Sequence, residues 1–472
     1  MEGSTTAQVQ VMSRRVVLPE PPPPPPTEEV HLTPWDLQML ALGYIQSGLL
    51  LPKPNLEPGV VVDRLASAFA RALGLFYPFA GRLVVGKRGA GDGSTATTMS
   101  LRCTGEGVEF VHAAAPGVTA ADITAGAPRY IPRELVASLF PPGGLLSFDA
   151  ASPESDEGSR RAPVLAAQVT ELADGVFVAV SLNHGVGDGT TFWHFVNTWS
   201  ELARGDASER PPPVLKRWFP ENFNCPVPVP LQLAKVEHIR RRGQPPPPPA
   251  LQECAFHFSP ESVKKLKARA NAQAPHSGAA TVSSLQALLA HLWRSVCRAR
   301  LLEPSQQTTY LLVVGCRGRV KGVPQTGYVG NAVVACMVTS TAGEVLEKGL
   351  GWASSLLNSA VAKTLDEAAF RDWLERWTRE PRFTPAAVAP GAAAIFVGSS
   401  PRFDVYGNDF GWGKPVAVRS GPGNKVDGKA TVYEGRGGDG AIYPEVCLAP
   451  DALARLVADE EFMDAVTAPP QL

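Results

Sequence analysis

Gly175-Val-Phe-Val-Ala-Val-Ser-Leu-Asn-His184-Gly-Val-Gly-Asp188-Gly189 is the stretch on which the reading of this chain turns. Gly175 to Asn183 is a continuous apolar and β-branched run, bounded by glycine on one side and Asn-His on the other. That pattern predicts a strand buried on both faces. Downstream, Phe192, Phe195, Val196, Trp199 and Leu202 fall on one face of a helix over Thr191 to Arg204. His184 therefore sits in a strand–turn–helix junction, where a rigid scaffold displays side chains for chemistry. The surrounding glycines allow a sharp turn and leave space beside the imidazole. Histidine is the side chain whose ordinary pKa suits proton abstraction near neutrality. With eight histidines, roughly 0.4 His-x-x-x-Asp spacings arise by chance at ordinary Asp usage, and only His184 has one. The spacing alone favours a packed, satisfied turn histidine; with the glycines and the strand before it, a general base reads equally well.

Working outward, the chain divides near its middle. Pro211-Pro-Pro213 and the run Pro245 to Pro249, with Arg240-Arg-Arg242 between them, form a composition that neither a helix nor a central strand tolerates. We place a crossover linker at 211–250, between an N-terminal domain at 31–210 and a C-terminal domain at 251–472. Residues 1–30, with the run Pro21 to Pro26, read as a flexible tail carrying an exposed polyproline II spacer. Both halves look mixed α/β. Helices are predicted over Leu37 to Leu51, Val60 to Leu73 and Ser283 to Arg300, and after the Ser259-Pro260 cap. Strands are predicted over Tyr310 to Val314 and Ala392 to Val397.

Composition bounds the function. Over 472 residues, 44 % are hydrophobic and 19 % charged, and the formal net charge is −1. This is globular composition with no overall basic field for nucleic acid or an anionic membrane. An anionic ligand must be met by a local patch. The seven cysteines are scattered and never form CxxC, which argues against a disulfide framework or a structural zinc site. No stretch reaches the ~20 apolar residues of a membrane span, and Met1 to Val11 lacks the apolar segment of a secretory signal. The expectation is a cytoplasmic protein.

Rival motifs are weak. Gly435-Arg-Gly-Gly-Asp-Gly440 fits GxGxxG, but it lies between two predicted strands, Ala430 to Tyr433 and Ala441 to Val446. A hairpin loop is the better reading, because no helix follows to receive a pyrophosphate. Walker A, GxSxG and HExxH are absent from the sequence. A second aromatic turn, Asp409-Phe-Gly-Trp-Gly413, follows the Ala392 to Val397 strand by a short loop.

These two motifs, HxxxD near mid-chain and DFGWG nearer the C-terminus, resemble the marks of the plant BAHD acyltransferases. Tyr77-Pro-Phe-Ala-Gly-Arg-Leu83, Leu285 to Arg294 and Tyr328-Val-Gly-Asn331 are similar to further stretches of that family. The resemblance runs from about His31 to Val466. His31 to Leu40, Gly189 to His194 and Ser399 to Asp404 look closest to a subgroup labelled acetyltransferases. One departure is Gly315-Cys316-Arg317, where the family usually has Asp or Asn before the arginine.

The resemblance implies two chloramphenicol-acetyltransferase-like domains with a solvent channel between them and His184 midway along it. It implies acyl-CoA as co-substrate, no permanently bound cofactor or metal, a small-molecule acceptor and a monomer. His184 would take the acceptor's proton as it attacks the thioester, without an acyl-enzyme. Trp412 N–H is the candidate donor to the resulting oxyanion. Asp188 is expected to pair with Arg317 and hold the turn, and Asp409, with Gly411 and Gly413, to fix the loop presenting Trp412. For coenzyme A, Lys264 and Lys265 on one helix, with Lys267 and Arg269, are candidate contacts, but a solvated face reads the same. Ser283 and Ser284, at a helix N-terminus, serve either a phosphate or the cap. Two other readings stay open. One is a lyase on an amide-linked chorismate-type metabolite. The other is a non-catalytic binding protein using its proline runs.

Overall fold

The computed structural model describes residues 9–24, 28–89, 95–124, 130–141, 147–150, 152–153, 162–206, 208, 210–220, 227, 250–274, 281–364, 366–379, 393–437 and 439–468. The decisive apolar run forms strand β9 (Gly175–Leu182), buried at every position. It lies inside a six-stranded sheet ordered β1-β6-β8-β9-β3-β14. Its partners are β1 (Gln10–Val17), β6 (Val108–Ala115), β8 (Leu165–Leu172), β3 (Ile45–Pro52) and β14 (Ala417–Ser420). A small sheet in the same half runs β2-β5-β4-β7: β2 (Glu28–His31), β5 (Thr95–Cys103), β4 (Arg82–Gly89) and β7 (Ser152–Pro153). The second six-stranded sheet is ordered β10-β16-β15-β13-β11-β12. It comprises β10 (Gln252–Ala255), β16 (Ile442–Leu448), β15 (Lys429–Glu434), β13 (Ala393–Gly398), β11 (Gln307–Gly315) and β12 (Val333–Thr341). Both large sheets mix parallel and antiparallel pairs, so the chain is mixed α/β.

Each large sheet has its own core. The Pro58–Leu75 and Gly189–Arg204 helices pack on the first through Phe69, Phe76, Phe195 and Trp199, whose rings meet edge to face. The Pro260–Ala272, Ser284–Ala299 and Pro450–Ala458 helices cover the second through Leu266, Leu289, Trp293 and Leu453. Ser259 caps the first of these by accepting from Ser262 N–H, with Pro260 at the first helical position.

Four expectations change. The Leu37 to Leu51 helix is instead a short helix, Pro34–Met39, followed by β3. Leu49, Leu50 and Leu51 are a central-strand run, and an apolar stretch buried on both sides carries no periodicity to separate helix from strand. Gln10–Val17, inside the expected flexible tail, is an edge strand paired antiparallel with β6. Glu20 N–H then bonds Ala70 of the Pro58–Leu75 helix at 2.8 Å, so the chain is anchored as far as the start of the proline run; 25 and 26 lie outside the described residues. The crossover is not a free linker where it is described. Val214 donates to Gly327 O and accepts from Val329 N–H. Arg240 to Arg242 and Pro245 to Pro249 lie outside the described residues. Finally, the C-terminal half is not self-contained, because β14 adds to the first sheet beside β3 and Phe410 is buried in the first core. Between β15 and β16, the glycine-rich loop joins an antiparallel pair, a hairpin.

Candidate active site

The turn after β9 is held from three directions. Asn183 donates through Nδ2 to Ser147 O at 2.7 Å and accepts from Gly185 N–H at 2.9 Å. Ser147 Oγ accepts from His184 N–H at 2.8 Å. From the second half, Asn331 Nδ2 donates to His184 O at 2.8 Å. The same amide group and the Asn331 N–H also donate to Asp36 Oδ1, each at 2.9 Å. The backbone of His184 is thus pinned by residues far apart in sequence from both halves of the chain. The turn also depends on its glycines: a Cβ at Gly185 would strike the Leu40 side chain, and one at Gly187 would press on Thr191.

The imidazole is half-buried. Its Nδ1 is sealed from solvent, so Nε2 is the nitrogen left to meet a substrate. Burial holds the His184 pKa below the ordinary 6.5; its own carbonyl, Asp188 and Asn331 push the other way, and the Lys429 charge adds to the lowering. The ring is therefore neutral at neutral pH, with a free lone pair.

Asp188 does not serve as an orienting partner for the ring by any direct hydrogen bond. It caps the Gly189–Arg204 helix by accepting from Thr191 N–H at 3.1 Å. Its carboxylate takes both Arg317 Nη1 at 2.6 Å and Nη2 at 3.0 Å, and Ala332 N–H at 2.9 Å. Arg317 further donates to Tyr328 O, Gly330 O and Thr191 Oγ1. The pair is nearly closed to solvent, with side chains 8 % and 3 % exposed. Burial alone pushes the Asp188 carboxyl up, but Arg317 and the two backbone N–H groups outweigh it and hold it below the ordinary range. A second buried pair, Asp36–Arg217 at 3.2 Å, lies beside the first. Arg217 also donates to Val186 O at 2.9 Å and to Val329 O.

The DFGWG loop lies elsewhere. Asp409 Oδ1 accepts from Gly411 N–H at 2.7 Å and Gly413 N–H at 3.1 Å. Both glycines have positive φ, +105° and +125°, a conformation that side-chain-bearing residues resist. The Phe410 ring meets Trp199 at 5.1 Å and Trp412 at 6.1 Å. A Cβ at Gly413 would lie 3.4 Å from Pro52, and Val416 N–H bonds Leu50 O. Pro52 pairs with Gly175, while Ile45 pairs with Leu182 beside the His184 turn. At the ordinary rise per strand residue, the two ends of this ladder are on the order of 20 Å apart. Trp412 therefore cannot donate to an oxyanion formed at His184, and that expectation is corrected. Sequence proximity to a motif gives no distance; only the register of β3 on β9 does.

Of the expected coenzyme A contacts, Lys264 and Lys265 are exposed on the Pro260–Ala272 helix. Arg269 on that helix is engaged by Glu461 at 3.0 Å. Ser283 forms a capping box with Gln286, and Ser284 opens the helix. The Asn271 side chain donates through Nδ2 to Val282 O and accepts at Oδ1 from Val282 N–H, bringing the two helices together at this end. His184, Asp188 and Arg317 are thus assembled at one place, with Lys264, Lys265, Ser283 and Ser284 on the outer layer of the second half. The reading by sequence missed Ser147, Asp36, Arg217 and Lys429. Asp36 and Asn331 stood inside stretches already singled out, but nothing local marks Arg217 or Ser147. Among the described residues there is no cluster of potential metal ligands and no helix long and apolar enough to cross a membrane.

Likeness to known proteins gives the class, an acyltransferase. The profile described as the Transferase family matches residues 7–463, and the chain belongs to this family, the BAHD acyltransferases. It is 33 % identical over 464 residues to an uncharacterised acetyltransferase of Arabidopsis thaliana, covering 97 % of this chain and 99 % of that protein. It is equally 33 % identical over 470 residues to the BAHD acyltransferase DCR of the same plant, covering 97 % and 92 %. Shikimate O-hydroxycinnamoyltransferase of Nicotiana tabacum is 28 % identical over 388 residues, covering 78 % and 80 %. Among solved structures, vinorine synthase superposes with a TM-score of 0.69 at 20 % identity, covering 98 % of this chain and 99 % of that one. TRI101 of F. graminearum, complexed with coenzyme A and T-2 mycotoxin, gives 0.71 at 22 %, covering 93 % and 99 %. These structural likenesses fix the fold as the two-domain arrangement of that family.

Proposed function

We propose that the protein transfers an acyl group from an acyl-CoA thioester to the hydroxyl or amine of a small metabolite, with His184 as general base. The observation that carries this is the neutral, half-buried imidazole with its Nδ1 sealed from solvent, pinned through its backbone by Ser147 on one side and Asn331 on the other. A neutral base held at fixed orientation can accept the acceptor's proton as the nucleophile meets the thioester carbonyl. The tetrahedral adduct then collapses, the C–S bond breaks, and the proton on Nε2 passes to the departing thiolate. No residue of the enzyme becomes acylated. The Asp188–Arg317 pair fixes the turn and takes no part in proton transfer. The names of the relatives support the reaction class, and the TRI101 complex supports coenzyme A as the carrier.

Coenzyme A carries anionic phosphates, and the exposed Lys264 and Lys265 with the N-terminus opened by Ser284 are the proposed contacts. The protein is proposed to work as a cytoplasmic monomer with no resident cofactor. The test is a panel of acyl-CoA thioesters against pooled alcohols, phenols and amines, read by mass spectrometry for free coenzyme A and new ester or amide masses. His184→Ala is run beside the wild type. Equal activity in the two refutes the base assignment, and wild-type turnover without any thioester points instead to a lyase.

A further inference from the structure

Among the described residues, the face of the second sheet turned away from its core carries one charge that nothing answers. Strand pairing lines up Glu253, Cys447, Lys429, Phe396, Leu311 and Met337 in a single row from edge to edge. The alternate positions, Val446, Ala430, Ile395, Val397, Leu312 and Cys336, are in the second core. The row therefore looks toward the N-terminal half, and Tyr433, four residues on from Lys429 and on the same face, bonds Ser47 of β3 across the gap at 3.2 Å. Toward β12 the row is apolar and open, with Met337 66 % exposed.

The other described ions on this face are engaged. Glu253 takes both Arg133, at 2.9 Å, and Lys425. Glu445 takes Arg419 at 3.3 Å and Ser420. That is four cations, counting Lys429, against two carboxylates, and the Lys429 ammonium makes no hydrogen bond or ion pair among the described residues. A half-buried ammonium without a counter-ion is costly. Here burial, then the nearby Lys425 charge, pull its pKa down to about 8.

The lysine also occupies a place made for it. A Cβ at Gly398 would sit 2.5 Å from Lys429 Nζ, so the missing side chain at the end of β13 leaves room for the ammonium. Gly398 is one residue past Phe396–Val397, so Nζ leans from its own row toward the sheet end where β12 begins. Two residues before β12 stands Asn331, which holds His184. The Lys429 charge reaches the His184 ring and lowers its proton affinity. An anion seated on Lys429 cancels that effect and makes His184 a better base.

We propose that Lys429, in the space left by Gly398, is an anion subsite on the face of the second sheet turned toward the N-terminal half, and that one of the two substrates carries a carboxylate which binds there. The anion is either a carboxylate on the acceptor or the free carboxylate of a dicarboxylic acyl group on coenzyme A. Only this assignment to acceptor or donor rests on the acyl-transfer reading; the anion subsite itself does not. The experiment compares acid and neutral partners in matched pairs: 4-hydroxybenzoate and 4-hydroxycinnamate against their methyl esters, and malonyl-CoA against acetyl-CoA. Binding is measured by calorimetry, and turnover wherever transfer occurs. Wild type is set beside Lys429→Met and Gly398→Ala, each checked by thermal melt.

A charge-assisted contact of this kind is worth about 10- to 100-fold. The expected result is that wild type prefers the acid member of one pair by that factor and that the preference falls toward unity in both variants. Preference within the phenolic pairs places the carboxylate on the acceptor; preference for malonyl-CoA places it on the donor. A wild type that distinguishes no acid from its neutral partner, or a preference that survives Lys429→Met, overturns the subsite. Calorimetry reads these outcomes even if no thioester is turned over, so a failure of the acyl-transfer reading is seen separately.

Discussion

Replacing Asp188 by Asn separates a structural carboxylate from a catalytic one. In the folded protein Asp188 accepts four hydrogen bonds, two from Arg317 and one each from Thr191 and Ala332. Asparagine offers a single acceptor oxygen, and its amide turns a donor toward at least one of those donors. Arg317 then keeps its charge at 8 % exposure with no counter-ion. Breaking one side of a buried pair costs about 3–5 kcal/mol. Because the two halves share a sheet, the chain of 472 residues unfolds as one unit, for which each kcal/mol lowers the melting temperature by about 1 °C, so the midpoint should fall by roughly 3–5 °C. Removing both charges, in Asp188→Asn combined with Arg317→Met, should recover a large part of this loss. The assay is thermal or urea unfolding of the four proteins of the cycle, with kcat/KM measured well below the melting range. If Asp188→Asn melts like wild type but loses activity, the carboxylate acts on the proton-transfer step and the structural reasoning is wrong. The pH dependence has a definite sign. The folded pKa of Asp188 is depressed, so its contribution is full above the ordinary carboxylate value of about 3.9. It is lost as pH falls through the lower folded value, and acid unfolding of Asp188→Asn should show less steepness there.

Other outcomes follow from the same geometry. His184→Ala should lower kcat by about 10²- to 10⁴-fold without lowering the melting temperature by more than a few degrees; a comparable loss of fold would mean the ring is structural. The acid limb of the wild-type kcat/KM profile should lie below the ordinary histidine value of 6.5, because burial favours the neutral ring; a limb above it contradicts the base assignment. Trp412→Phe should change kcat by less than about tenfold, since direct donors to an oxyanion are worth about 10²–10³ and Trp412 lies at the other end of β3. Reversing charge at Lys264 and Lys265 to Glu should raise the KM for the thioester in a salt-dependent way and leave kcat nearly unchanged; no change in KM makes them a solvated face.

Much of the fold around His184 was legible in residues close together in the chain. Eight consecutive apolar or small residues before Asn183-His184 could bury only as a central strand, and the next helix starts where Asp188 caps it. Ser259-Pro260 and the glycine-rich β15–β16 hairpin were legible for the same reason: caps and turns are local chemistry. The family marks supplied the reaction class and the expected partner of Asp188. What the sequence could not carry was anything set by long-range register. Leu49 to Leu51 looked helical because an apolar run has no period, and β1 looked like a tail because its partner, β6, is about a hundred residues away. Trp412 belonged to the site in the sequence and left it in the structure, since β14 docks on β3 and carries the DFGWG loop to the opposite end of the sheet. Lys429 was one lysine among many, and it became a candidate only when strand pairing set it over Gly398 with every nearby carboxylate already taken. Local patterns are written within a few residues; the distance between two motifs, and the charge left unpaired between two sheets, exist only after the chain has closed on itself.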